Sequence, residues 1–272
     1  MTRLPDPASL VQRTGLPAGS LLQKVLVSEL DRVGRLPAPT LGRPRPDIRP
    51  FEAALRRDAD LRGGAVIAEY KQASPSLGPF ALGTPLLPQL QAYQEGGASA
   101  FSILAEPAHF RGSTEHIQRA AGLGLPRLYK GFVISEAQLA EAEASGAEAV
   151  LLIARVLKAH TAAFANAARA RGLEPLVELH DLTEVGFAQA AGACLVGINA
   201  RDLSTFNLGV PTAAPLRQAF PEAVLIRESG LATPEDAQAA LRAGFDAVLI
   251  GEALMRSADP RDFLSRILSG LR

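Results

Sequence analysis

The sequence predicts an α/β chain, a single (β/α)8 TIM barrel with an N-terminal helical extension. Three observations predict it. First, charged or polar residues sit where apolar strands end, in AVIAEYK, LPRLYKGF, LEPLVELH, LVGINAR and AVLIRESG. A carboxylate or ammonium at the tip of a buried strand costs free energy unless it finds partners. Five such tips suggest one shared polar cluster, and a closed parallel barrel brings many strand ends to one place. Second, GGASAFSIL, SGAEAVLLI, AGACLVGIN and AGFDAVLIG repeat one theme, a helix end closed by glycine and then an apolar run. Glycine there suits the left-handed conformation that ends a helix. Third, strand and helix patterns alternate, which implies parallel strands. An open doubly wound sheet is the rival. The closed barrel is preferred because the strands number eight and polar tips occur on early and late strands alike.

The elements follow in order. Residues 1–50 read as an extension packed on the barrel, and residues 51–272 as the barrel itself. Leu21 to Leu36 has helical periodicity, and residues 1 to about 18 are expected to be loosely held. PAPTLGRPRPDIRP is an extended, proline-rich connector. FEAALRRDADL is a helix leading into the first strand. Strands are expected at Val66–Tyr70, Arg127–Lys130, Pro175–Leu179 and Val224–Arg227, alternating with the four runs that follow Gly97, Gly146, Gly192 and Gly244. Among the helices, Thr233 to Ala243 opens with Thr at the N-cap, Pro at the first helical position and acidic residues in the first turn.

Composition excludes several classes. Lys plus Arg equal Asp plus Glu, at 28 each, so no net charge attracts nucleic acid or a membrane surface. Cys194 is the sole cysteine, so no internal disulfide forms, which fits a reducing cytoplasm. It reads as a core residue. No secretion signal or membrane-length apolar run is evident. The four His are scattered and form no metal constellation.

The strand tips carry the candidate chemistry. Glu69 and Lys71 are two apart, so both face one side of their strand. They suit either a structural ion pair plugging the barrel mouth or an active site, which this end of the fold usually holds. Lys130 among apolar neighbours would have a depressed pKa and could act as acid, base or Schiff-base nucleophile. Glu178 could be a general acid or base with a raised pKa, or a partner for a lysine. His180, followed by Asp181, is expected to be structural or to face the loop. Asn199 and Arg201 suit a hydroxyl and a carboxylate. Glu228-Ser229-Gly230 and Gly251-Glu252 follow the last two strands, where such barrels often bind phosphate on backbone N–H groups.

With these residues assembled, the chain resembles the indole-3-glycerol phosphate synthase family from about Leu21 to its end. VIAEYKQASPSLGPF is the most specific block, and GGASAFSILAEPAHFRGS, GINARDL, ESGLATPEDA and IGEALMR follow in the family order. The resemblance implies a carboxy-lyase of tryptophan biosynthesis. Its substrate is 1-(2-carboxyphenylamino)-1-deoxyribulose 5-phosphate, and neither cofactor nor metal takes part. It implies Lys130 as general acid at the ketone oxygen. Glu178 and Glu69 serve proton transfers, and Lys71 binds substrate and aids dehydration. Asn199 and Arg201 orient the substrate, Glu228 supports the array, and Phe110 and Phe132 line an aromatic slot. Ser74, Ser229, Gly230, Gly251 and Glu252 hold the phosphate. A monomer is expected, with association with other tryptophan-pathway enzymes left open. One departure stands out: the family usually has Lys-Asp-Phe where this chain has Lys130-Gly131-Phe132. Gly131 is expected to loosen the strand end and hold Lys130 less firmly. Ala200 replaces a more usual Asn or Ser, with little effect expected. The rivals are a Schiff-base aldolase built on Lys130 and a non-catalytic barrel that binds phosphorylated ligands or a partner protein.

Overall fold

A computed structural model describes residues 4–39, 50–74, 78–199 and 213–271. Eight parallel strands close into a barrel: β1 Ala65–Tyr70, β2 Ala100–Leu104, β3 Arg127–Lys130, β4 Ala149–Ile153, β5 Glu174–Leu179, β6 Leu195–Ile198, β7 Val224–Arg227 and β8 Ala247–Ile250. Each pairs with its neighbours in sequence, and β8 closes onto β1 with Ala65 beside Ala247. The apolar runs are buried from end to end, except that the tip residue Lys130 is only partly covered. This is the signature of strands covered on one face by helices and on the other by the barrel interior.

The repeated glycines act as expected. Gly97, Gly146, Gly192 and Gly244 have φ of 99°, 78°, 55° and 97°, a region that disfavours any residue with a Cβ. Each ends a helix and turns the chain into the next strand. The helix expected from Thr233 runs Pro234–Arg242. Thr233 forms a full capping box with Asp236. A two-residue antiparallel ladder, Ala73–Ser74 with Gly78–Pro79, follows β1 and was not foreseen.

Among the described residues three helices precede the barrel: α1 Pro7–Gln12, α2 Leu21–Val33 and α3 Pro50–Arg62. Residues 10–13 are more firmly held than the sequence suggested. Leu10 and Val11 are buried in the core cluster, and Lys158 Nζ donates to the carbonyl of Arg13 at 2.9 Å. Residues 40–49 of the proline-rich connector lie outside the described residues. Cys194 is half-buried just before β6, not in the core. Among the described residues no helix is long and apolar enough to cross a membrane.

Candidate active site

The C-terminal ends of the strands surround a cavity of about 210 Å³. Every predicted site residue within the described chain lines it: Glu69, Lys71, Ser74, Phe110, Lys130, Phe132, Glu178, Asn199, Glu228, Ser229, Gly230, Gly251 and Glu252. Arg201 and Ala200 lie outside the described residues.

The floor is a charged array. Lys130 Nζ lies 3.2 Å from Glu178 Oε2 and 2.5 Å from Glu228 Oε2. Beside it, Lys71 Nζ lies 3.1 Å from Glu69 Oε1. Glu69 is partnered in the sheet register by Ser102 on β2, whose hydroxyl donates to Glu69 Oε2 at 3.1 Å. Ser102 was missed in the sequence; its only signal was a hydroxyl inside an otherwise apolar strand. Two glycines make room for the carboxylates. Gly197 on β6 is the register partner of Glu178, and a Cβ there would overlap Glu228 Oε1. A Cβ at Gly251 would likewise overlap Glu69 Oε1.

Electrostatics correct two expectations. Burial would lower the Lys130 pKa, as its apolar setting suggested, but Glu228, Glu178 and Glu69 outweigh it and raise it. Lys130 is therefore a firmly held ammonium. The raised carboxyl is Glu228, not Glu178. Burial lifts Glu228 to about 8, aided by the Glu178 charge. Burial also acts on Glu178, but Lys130 and His180 bring it down to about 2. Two carboxyls that share one ammonium titrate as a pair, and below about pH 8 the pair keeps one proton, held at Glu228. Glu228 Oε1 has no hydrogen-bond partner among the described residues.

Of the two readings of His180, structural or loop-facing, the structure sets aside the second. Its buried side chain lines the cavity, with Nε2 3.6 Å from Glu178 Oε1. Asp181 instead pairs with Arg155 at 2.9 Å, away from any triad.

One wall is aromatic. The rings of Phe110 and Phe132 lie 5.6 Å apart at 32°. Phe110 ends a short helix, Pro107–Phe110, whose N-terminus is capped by buried Glu106; that carboxylate accepts from the N–H groups of Ala108, His109 and Phe110. Leu21, Leu22 and Val25 of α2 form the roof. Gly230, with φ 76°, turns the chain after β7, and Gly251 leads into the short helix Glu252–Arg256 after β8. Ser229, Gly230, Gly251 and Glu252 thus stand on the two adjacent loops where a phosphate is bound in many such barrels.

Comparison with known proteins adds independent findings. The family model described as Indole-3-glycerol phosphate synthase matches residues 28–267. Indole-3-glycerol phosphate synthase 2 of Streptomyces coelicolor is 46% identical over 218 residues, covering 79% of this chain and 83% of that protein. Indole-3-glycerol phosphate synthase of Methanothermobacter marburgensis is 36% identical over 256 residues, covering 91% and 92%. Among solved structures, thiamine phosphate pyrophosphorylase from Pyrococcus furiosus matches with a TM-score of 0.53 at 15% identity, over 77% of this chain and 96% of that one. That likeness speaks for the barrel alone.

Proposed function

The chain belongs to the indole-3-glycerol phosphate synthase family, and from that membership we propose which side chains carry each step of its reaction. The enzyme closes, decarboxylates and dehydrates 1-(2-carboxyphenylamino)-1-deoxyribulose 5-phosphate to indole-3-glycerol phosphate. Ring closure joins the aryl carbon to the ketone carbon and leaves negative charge on the ketone oxygen. Lys130 is the group that protonates it. An alkoxide is far more basic than a lysine amine, so the proton moves downhill even from an ammonium whose pKa is raised. The observation that carries this role is the contact of Lys130 with both Glu178 and Glu228 on the cavity floor.

Loss of CO2 returns an electron pair to the ring. Dehydration then removes the new hydroxyl as water together with a proton from the adjacent carbon, the one bonded to nitrogen in the new five-membered ring. Lys71 supplies the acid for the leaving hydroxyl, and Glu69 and Glu178 take protons and steady positive charge on the aniline nitrogen. Phe110 and Phe132 flank the aryl group. Asn199 and Arg201 orient the sugar chain, and Ser74, Ser229, Gly230 and the backbone N–H groups of Gly251 and Glu252 take the phosphate. Binding the phosphate far from the reacting carbons holds a flexible substrate folded for attack. The aldolase reading fits less well, because a Schiff-base lysine needs a neutral amine and the carboxylates around Lys130 oppose it. The chain acts as a cytoplasmic monomer in this reading.

The test is direct. Purified chain given the carboxyphenylamino substrate should produce indole fluorescence. Lys130→Ala should lower kcat by at least about 10²-fold, the usual scale of a general acid, with Glu178→Gln close behind. Full turnover by Lys130→Ala would end the assignment.

A further inference from the structure

Gly131, which stands where the family usually has Asp, sits against its own neighbour's ring. A Cβ at 131 would stand 2.5 Å from Cε1 of Tyr129 and 3.2 Å from Cζ. That ring is fully buried and held at its hydroxyl, so it cannot swing clear. The Tyr129 hydroxyl donates to Glu141 Oε2 at 2.7 Å and accepts from Arg32 Nη2 at 3.3 Å. Arg32, on α2, also binds Glu141 Oε1 at 2.8 Å and Glu29 Oε1 at 3.0 Å. Buried Gln138 donates to Glu29 Oε2 at 2.6 Å and to the Phe132 carbonyl at 2.9 Å, and accepts from the Ile134 N–H. One connected network therefore joins α2, the end of β3 and the loop that carries Phe132. The same α2 places Leu21, Leu22 and Val25 over the cavity.

We infer that Tyr129 is a positioning residue for substrate binding: its hydroxyl fastens the roof helix to the strand bearing Lys130, and its ring is what requires glycine at 131. Gly131 is thus not a loosened strand end. Lys130 next to it keeps both ion pairs. The inference rests on ring closure taking place in this cavity. Roof residues touch the substrate before and during the reaction alike, so slackening them weakens binding without slowing chemistry.

Two measurements on the full chain test it. Tyr129→Phe keeps the ring and removes the hydroxyl. Its KM should rise about tenfold, the scale of a lost hydrogen bond to charged partners, with kcat within about twofold of the parent. An unchanged KM, or a fall in kcat alone, would overturn the claim about the hydroxyl. Gly131→Ala is then made in the parent and in a Tyr129→Leu background. It should lower the thermal midpoint strongly in the first, even to the point of no folded chain, and much less in the second. Equal losses would overturn the claim about the ring. The thermal comparison needs no turnover, so a parent chain that made no indole would refute the function while leaving the Tyr129–Gly131 coupling to be judged alone.

Discussion

Two carboxyls facing one ammonium leave the cavity floor with a surplus of acid, and the sign of the resulting pKa shifts sets a pH dependence. Glu228 is raised to about 8, so it keeps its proton below that pH and loses it above. Once it is ionised, two anions hold the Lys130 proton and make it harder to release. The value of kcat/KM should therefore fall as pH rises through about 8, because this parameter reports the free enzyme. Glu228→Gln should flatten that limb. A limb that persists unchanged in Glu228→Gln would place its origin elsewhere. The residues of this array were legible in the sequence, because a charge at the tip of a buried strand is conspicuous. Which carboxyl is raised was not. It depends on Glu228 on the β7 side leaning over Gly197 toward β5, a contact between strands that no local pattern encodes. The direction of the His180 ring was hidden for the same reason, although its position after β5 was plain.

Strands and helices were read from short-range rules, and those rules are strongest where one residue fixes one conformation. The four helix-ending glycines and the Thr233 capping box are of this kind. The anchoring of α3 is not. Glu174 begins β5 at the end of the barrel opposite the cavity, and its carboxylate accepts from the N–H of Phe51 and of Glu52, each at 2.8 Å. A partner more than a hundred residues away caps the open end of the helix, favourably aligned with its dipole. Charged hydrogen bonds of this sort contribute about 1.5–3 kcal/mol. Glu174→Ala should lower the thermal midpoint by roughly 3–12 °C, given about 2–4 °C per kcal/mol for a chain of this size. Its kcat should stay at the parent value, since the cavity lies at the far end of the strands. A midpoint unmoved by the change would show that water caps the helix equally well.

Across the whole molecule, one end of the barrel is closed by helices tied to strand starts such as Glu174, and the other is a set of charges under α2. Barrel closure was inferred from a count of strands and from the need to gather polar tips. The roof was beyond reach, because Glu29 and Arg32 look like surface charges of an amphipathic helix until Gln138 and Glu141 cover them. This division of labour implies that the site is held at a cost to stability. Glu178 and Glu228 are buried and Lys130 is largely covered, and taking charges out of water is repaid only while each keeps its partner. Lys130→Met removes the cation and leaves the buried Glu178 carboxylate without its ammonium beside a protonated Glu228, which should destabilise the fold by about 3–5 kcal/mol. Replacing all three together, Lys130→Met with Glu178→Leu and Glu228→Leu, removes the charges as a set. That chain should regain most of the loss, or exceed the parent by about 1–4 kcal/mol, while making no indole. Urea unfolding of the three proteins at pH 7 decides it. A triple variant as unstable as Lys130→Met would mean that the ion pairs support the fold as well as the chemistry.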